Sequence, residues 1–370
     1  MRVLLISTNT ASSPYPVYPL GLSMVARVAK DAGHKVCLFD FLQSGQSLEE
    51  VSNCVKEQRP DVIGVSVRNI DNVNLLHEER YIERAKEIVS RIREASDAIV
   101  VAGGSAFSIL PERIMAVIGA DYGIAGEGEK RFTALLRDIE RGKEPQKGTV
   151  IRGGSSVSPA VIPSADYDRD LLGRYLENGS IASVQTKRGC PLRCVYCSYP
   201  ALEGRRIRYR NPRRVVDDME MLKEDHGANM IFFTDSVFND DQGCYLEILH
   251  ELQRRKLRIR WSAFLKPSGL DDDTICLMKE TGLKAAELGT DAAADRTLRG
   301  QRKPFLWRDV ETVSRKLMEA GVSTAHYFMF GGPGETRETV RDGIDNIKKL
   351  RCSAAFVFMG IRILPDTELH

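Results

Sequence analysis

Short apolar runs alternate with longer amphipathic stretches along the chain, and the alternation occurs twice. In the first series the runs are Arg2–Ser7, Lys35–Phe39, Asp61–Val67, Ala98–Ala102 and Asp121–Ala125. Between them, Leu20–Ala32, Leu48–Gln58 and Glu78–Glu94 space their apolar residues as helices do. Gly33 stops the first of these helical stretches. Strands that alternate with helices predict a parallel sheet covered on both faces. Ligands bind such sheets at the carboxyl ends of the strands. The segments there are rich in Gly, Ser and Asn, with Gly103-Gly104 closing the fourth run and Gly126-Glu127-Gly128 the fifth.

The second series has runs at Ile181–Thr186, Met230–Thr234, Leu257–Phe264, Ala285–Gly289, Ala325–Phe330 and Ala355–Ile363. Helical stretches separate them at Arg213–His226, Tyr245–Lys256, Asp271–Thr281, Trp307–Ala320 and Thr336–Leu350. Six such units predict a partial barrel, because a full eight-unit barrel takes about 250 residues. Between the two series, Gly153-Gly154-Ser155-Ser156, Pro159, Pro163 and Ser164 predict a connector with no packed element. The expected α/β organisation is a doubly wound Rossmann-like domain over 1–143, a linker over 144–179 and a partial (β/α)6 TIM-like barrel over 180–370.

Charge adds exclusions. The 370 residues hold 53 Lys plus Arg and 51 Asp plus Glu, a formal charge of +2. That balance argues against a protein that grips nucleic acid backbones, and no nucleic acid partner is expected. No segment approaches the roughly 18 apolar residues of a membrane span. The apolar run at the N-terminus is too short for a signal peptide. A cytoplasmic protein with reduced thiols is expected. Of eight cysteines, Cys37, Cys54, Cys244, Cys276 and Cys352 stand singly and read as packed, inert thiols.

Cys190, Cys194 and Cys197 are different. They lie in Lys187-Arg188-Gly189-Cys190-Pro191-Leu192-Arg193-Cys194-Val195-Tyr196-Cys197, directly after the first strand of the second series. Iron–sulfur cubanes are usually held by four thiolates, so three leave one iron open to a small molecule. Zinc is the competing reading. A structural zinc site wants four Cys or His ligands, and the next candidate along the chain is His226.

The motif, its place after a strand and the six βα units resemble the radical S-adenosylmethionine enzymes. The resemblance implies a [4Fe-4S] cluster on the three cysteines and S-adenosylmethionine on the open iron. One electron then cleaves S-adenosylmethionine to methionine and a 5′-deoxyadenosyl radical. By the same resemblance Tyr196 lies beside the adenine. Thr234 and Asp235 end the second strand of this series, where Asp235 meets the amino group of S-adenosylmethionine or caps a helix. Gly289-Thr290-Asp291-Ala292 stands where relatives often show Gly-x-Glu-Ser, so Asp291 is a shorter acid at a ribose position. Gly331 and Gly332 open the Gly-rich turn near the adenine.

The first half resembles the cobalamin-binding domain that precedes the radical half in one subgroup. Tyr18-Pro19-Leu20-Gly21 before the first helix carries that resemblance, together with Gly103, Gly104, Gly126, Glu127 and Gly128. The loop after the first strand holds Asn9 but no histidine. His34 and His77 read as non-ligands, so cobalt would lack a histidine below it. Arg68 and Asn69 follow the third strand, and Arg68 lies either against the lower corrin face or in an ion pair with an acid such as Asp71.

The resulting expectation is a cobalamin-dependent radical S-adenosylmethionine methyltransferase acting on an unactivated carbon. The same cofactors used for cyclisation or rearrangement are the alternative. A non-enzymatic cobalamin or iron–sulfur sensor is the reading from another class. The expected partners are a small-molecule or peptide substrate and an electron donor such as flavodoxin or ferredoxin. Relatives often continue beyond the sixth barrel strand, whereas this sequence stops at His370; a minimal protein and a shortened chain both fit.

Overall fold

The computed structural model describes residues 1–74, 76–152 and 162–370. Gly153–Ser156 and Pro159 of the expected connector lie outside the described residues. Contacts divide the chain into two compact units, Met1–Ser180 and Ile181–His370.

The first unit is a parallel sheet of β1 (Arg2–Ser7), β2 (Lys35–Asp40), β3 (Val62–Ser66), β4 (Ile99–Gly103), β5 (Tyr122–Ile124) and β6 (Val150–Ile151), in the order β2-β1-β3-β4-β5-β6. Its central strands are buried on both faces, as runs without polar alternation require. On one face Leu4, Ile6, Ile63 and Val65 pack with Val51 and Val55 of helix Leu48–Gln58 and with Ile88 and Ile92 of helix Tyr81–Ala95. On the other, Val3, Leu5 and Val101 meet Ala26 of helix Leu20–Asp31 and Leu135 of helix Glu129–Glu140. Each fully buried aliphatic side chain contributes about 1.5–3 kcal/mol. The strand order turns outward in both directions from β1 and β3, which opens a crevice at their carboxyl ends.

The connector expectation is corrected. Val150–Ile151 pairs with β5. Arg169–Glu177 is a helix, capped by the Asp168 carboxylate accepting the Leu171 N–H at 2.8 Å, with Leu171, Leu172 and Tyr175 buried. Tyr18 stacks on Tyr167 and meets Tyr175 edge-on, and Tyr175 donates to Asp40 at 3.1 Å. The described part of 144–180 thus completes the first unit. Its helix is short, and the Gly, Ser and Pro signals ahead of it masked it.

The second unit contains β7 (Ala182–Val184), β8 (Lys187–Arg188), β9 (Arg208–Tyr209), β10 (Met230–Phe233), β11 (Arg260–Leu265), β12 (Leu283–Asp291), β13 (Ser323–Phe330) and β14 (Ala354–Met359). Six of these form a parallel sheet in the order β14-β13-β12-β11-β10-β7, while β8 and β9 make a separate antiparallel pair. Helices Pro212–Glu224, Cys244–Arg255, Asp272–Glu280, Trp307–Glu319 and Arg337–Lys349 alternate with the strands. This is the partial (β/α)6 barrel. The β12–β13 register shifts between Leu288 and Asp291, which lifts the end of β12 out of the regular ladder. Among the described residues no helix is long and apolar enough to cross a membrane.

Candidate functional site

The cysteine loop leaves β8 through Gly189. Its φ is +91°, and a Cβ there would stand 2.3 Å from the Arg206 carbonyl oxygen, so a side chain is excluded one residue before Cys190. The Gly189 N–H donates to Glu203 at 3.1 Å and the Cys190 N–H to the Gly204 carbonyl at 3.1 Å. Further on, the Val195 N–H donates to the Gln301 carbonyl and the Val195 carbonyl accepts the Leu369 N–H. The loop is therefore held at both ends and in its middle.

Cys190, Cys194 and Cys197 are all free thiols. Burial raises the Cys190 thiol, and burial with the neighbouring Cys194 and Cys190 pushes Cys197 up to about 11. Thiols that oppose one another's ionisation fit a cationic centre that draws them out as thiolates. Among the described residues no three His, Cys, Asp or Glu side chains converge on a point that could hold a single ion. A cubane gives each thiolate an iron of its own, so its ligands stand farther apart than those of one ion.

Beside this loop Tyr196 donates its hydroxyl to Asp291 at 2.5 Å. Lys303 pairs with the same Asp291 carboxylate and donates to the Tyr196 oxygen at 3.2 Å. Burial works to lower the Lys303 amine, but Asp291 outweighs it and the amine is raised. Asp291 itself has φ +64°, at the irregular end of β12. The structure thus brings together Tyr196 and Asp291 and adds Lys303, which no motif in the sequence had marked. Gln301 was missed in the same way. It is fully buried, its carbonyl holds Val195, and its side-chain oxygen has no partner.

Asp235, expected at the amino group of S-adenosylmethionine or at a helix cap, is engaged by the chain itself. Its carboxylate accepts the Thr186 N–H at 2.7 Å, the Thr186 hydroxyl at 2.5 Å and the Lys187 N–H at 3.2 Å. It is buried, turned toward β7 and β8, and caps no helix, since the next one starts at Cys244. Its oxygens are engaged in tying β10 to the start of the cysteine loop. The neighbouring Thr234 is the opposite case, because its hydroxyl oxygen is buried and unpartnered. Gly331 and Gly332 lie on the turn after β13. Gly331 has φ +98° and donates its N–H to Glu335 at 2.8 Å, and a Cβ on Gly332 would come within 2.9 Å of the Gln301 amide nitrogen. That turn, Thr234 and Asp291 all sit at the carboxyl end of the sheet.

In the first unit the expected positions also gather at one end of the sheet. Asn9 follows β1, Arg68 and Asn69 follow β3, Gly103 and Gly104 end β4, and Gly126, Glu127 and Gly128 follow β5. Asn9 spends its amide on its own loop, exchanging hydrogen bonds with Ala11 at 3.2 and 3.3 Å. Gly104 has φ +102°, and a Cβ would meet the Val67 carbonyl oxygen at 2.5 Å. The Arg68 carbonyl accepts the Ser105 hydroxyl at 2.7 Å, and its side chain is exposed. The Gly126 N–H donates to Ser108 at 2.8 Å, and the Glu127 carbonyl accepts from Arg131. His34 lies at the opposite end of the sheet, beside the N-terminal amine, and His77 is exposed.

Known proteins match both halves. The B12 binding domain family matches residues 6–136, and the radical SAM superfamily matches 184–347. The chain belongs to the cobalamin-binding radical S-adenosylmethionine enzymes. Its likeness to individual members extends over nearly the whole chain. The tryptophan 2-C-methyltransferase of Streptomyces laurentii is 25% identical over 439 residues, covering 98% of this chain and 73% of that one. The anaerobic magnesium-protoporphyrin IX monomethyl ester cyclase of Rubrivivax gelatinosus is 25% identical, covering 92% and 64%. The radical S-adenosylmethionine methyltransferase TsrM of Kitasatospora setae is 27% identical; its structure with cobalamin and a [4Fe-4S] cluster superposes with a TM-score of 0.88, covering 100% of this chain and 73% of that one. A second TsrM structure, with tryptophan and a S-adenosylmethionine analogue, gives 0.90 and covers 74% of that chain. The chain thus joins a B12 binding domain to a radical SAM domain, as the TsrM structures with bound cobalamin, cluster and S-adenosylmethionine analogue do along the aligned length.

Proposed function

We propose that the chain is a methyltransferase that places a methyl group on an unactivated carbon of a small-molecule or peptide substrate. The observation that carries this is the likeness, along the whole of this chain and 74% of the other, to a methyltransferase, at a TM-score of 0.90 and 27% identity. When bound, the cofactors supply one-electron cleavage of S-adenosylmethionine and carriage of a methyl group on cobalt.

The protein's own part follows from its residues. Cys190, Cys194 and Cys197 hold the cluster, and the carbonyl of Gln301 with the N–H of Leu369 keeps their loop in place. Tyr196 is pinned by Asp291 and Lys303, so its ring presents one fixed face to the adenine. The unpartnered Thr234 hydroxyl and the backbone at Gly331 and Gly332 receive polar groups of S-adenosylmethionine. In the first unit, Gly103, Gly104, Gly126 and Gly128 leave bare backbone against which cobalamin packs, with Asn9, Arg68, Asn69 and Glu127 around it. Arg68 keeps its protons and cannot ligate cobalt. An electron donor such as flavodoxin or ferredoxin supplies the reducing electron.

The test uses anaerobically loaded protein, a strong reductant and S-adenosylmethionine carrying a trideuterated methyl group. A product in which one hydrogen is replaced by the intact trideuterated methyl group supports methyl transfer. Loss of hydrogen without label supports the cyclase reading, which the Rubrivivax relative favours. Absence of any 5′-deoxyadenosine would leave the sensor reading.

A further inference from the structure

Alternation along β13 separates two faces. Phe328 packs with Trp307 and Leu298, and His326 bonds to Ser314 on helix Trp307–Glu319, so these side chains point to the helices. Tyr327 therefore points the other way, into the barrel. On that inner face the Tyr327 hydroxyl donates to Glu287 of β12 at 3.0 Å, and its ring stacks on Phe356 of β14 at 5.2 Å. Phe264 of β11 is the register neighbour of Glu287, and it meets Phe232 of β10 edge-on at 5.1 Å. Five adjacent strands thus place Phe232, Phe264, Glu287, Tyr327 and Phe356 in one band. The band holds four rings and a single carboxylate.

The carboxylate is the unusual member. Glu287 is half-buried, and among the described residues Tyr327 is its hydrogen-bond partner and it has no ion-pair partner. Desolvation raises its carboxyl group, and the Tyr327 hydroxyl works to lower it. A charge in an apolar band is costly unless it is paired. The band opens progressively, from buried Phe232 to Phe356 at 46% exposure. It lies on the face that also bears Thr234, two residues above Phe232 and about 7 Å along the strand.

We infer that this band is the substrate platform, and that it selects a compound with an apolar ring or chain and a protonated amine that pairs with Glu287. The ammonium group would complete the carboxylate's pairing, and the flanking rings would attract the same cation through their faces. The inference rests on the methyltransferase reading for the word substrate, since the band itself shows only what chemistry it accepts.

The test compares phenethylamine with 2-phenylethanol, which share a ring and differ in charge. Binding to the loaded protein with S-adenosylmethionine, without reductant, is followed by ligand-observed NMR titration. The wild type should hold the amine roughly tenfold tighter than the alcohol, as expected for a hydrogen bond to a charged group. Glu287→Gln should abolish that preference while iron content and melting stay at wild-type values. Tyr327→Phe, which keeps the ring, should shrink it. Equal binding of both probes, no binding of either to the wild type, or a preference that survives in Glu287→Gln would overturn the inference. Failure of the methyltransferase reading is seen separately, as absence of labelled product in the reduced enzyme, and leaves the amine preference readable.

Discussion

At Gly104 one added methyl group would meet the Val67 carbonyl oxygen at 2.5 Å, in a residue already at φ +102°. Gly104→Ala should therefore destabilise the first unit by about 2–4 kcal/mol and weaken cobalamin binding, as seen in melting and in titration with hydroxocobalamin. Unchanged melting would mean the loop has room the structure does not show. Asp235 makes the opposite point. Removing its carboxylate strands the Thr186 and Lys187 N–H groups, so Asp235→Ala should cost about 2–5 kcal/mol in urea unfolding of the second unit. A variant with normal stability and poor S-adenosylmethionine binding would restore the cofactor contact expected from sequence. No local pattern encodes that engagement, because the direction of the Asp235 carboxylate is set by Thr186, 49 positions away along the chain. His326 gives a pH dependence. It is fully buried between Thr290 and Ser314, and burial lowers its imidazole to about 4 from 6.5. The unfolded chain takes up that proton first. Stability is thus intact above pH 6.5 and falls as pH drops from 6.5 towards 4, by roughly 3 kcal/mol in all. His326→Gln should flatten this limb of the stability curve, and a limb of the same slope in the variant would place the titration elsewhere.

At the scale of elements, helix Arg337–Lys349 starts where Thr336 accepts the Thr339 N–H at 3.2 Å and Thr339 accepts the Thr336 N–H at 2.8 Å. Thr336→Ala should cost about 1 kcal/mol, measurable as a lower midpoint in denaturant. No change would mean that the helix end is held by its packing alone. Elements of this kind were legible because pattern and cap agree. Helix Leu48–Gln58 was readable to the residue from the spacing of its apolar positions, and the structure adds the Ser47 cap that accepts the Glu50 N–H at 3.2 Å; β1 was readable from its unbroken apolar run. The pair β8–β9 was not legible. Each strand has two residues, and they pair only because the loop between them folds back through Gly189 and Gly204. The cysteine spacing singled out the loop proposed to hold the cluster, yet Gln301 and Lys303 reach that loop from a turn more than 100 positions later, which no local pattern encodes.

At the scale of the whole molecule, each unit has its own core, and the loops proposed for cobalamin and for the cluster fall in different units. Cofactor loading should therefore separate. The combined Cys190→Ala, Cys194→Ala and Cys197→Ala variant should lose its roughly four irons per chain and still bind cobalamin as the wild type does, by iron assay and absorbance titration. Iron retained in that variant, or cobalamin lost with it, would sink the assignment of independent sites. The division at Ser180 is also a division in time. The aromatic nest of Tyr18 is completed by Tyr167 and Tyr175, so the first unit cannot close until the ribosome has made nearly all of its 180 residues. At about 5–20 residues per second, translation of the barrel then takes a further 10–40 seconds, roughly. A nascent chain thus spends that interval with the residues proposed to receive cobalamin already made and most of those proposed to serve the iron–sulfur cluster still to come, an order set by the order of its codons.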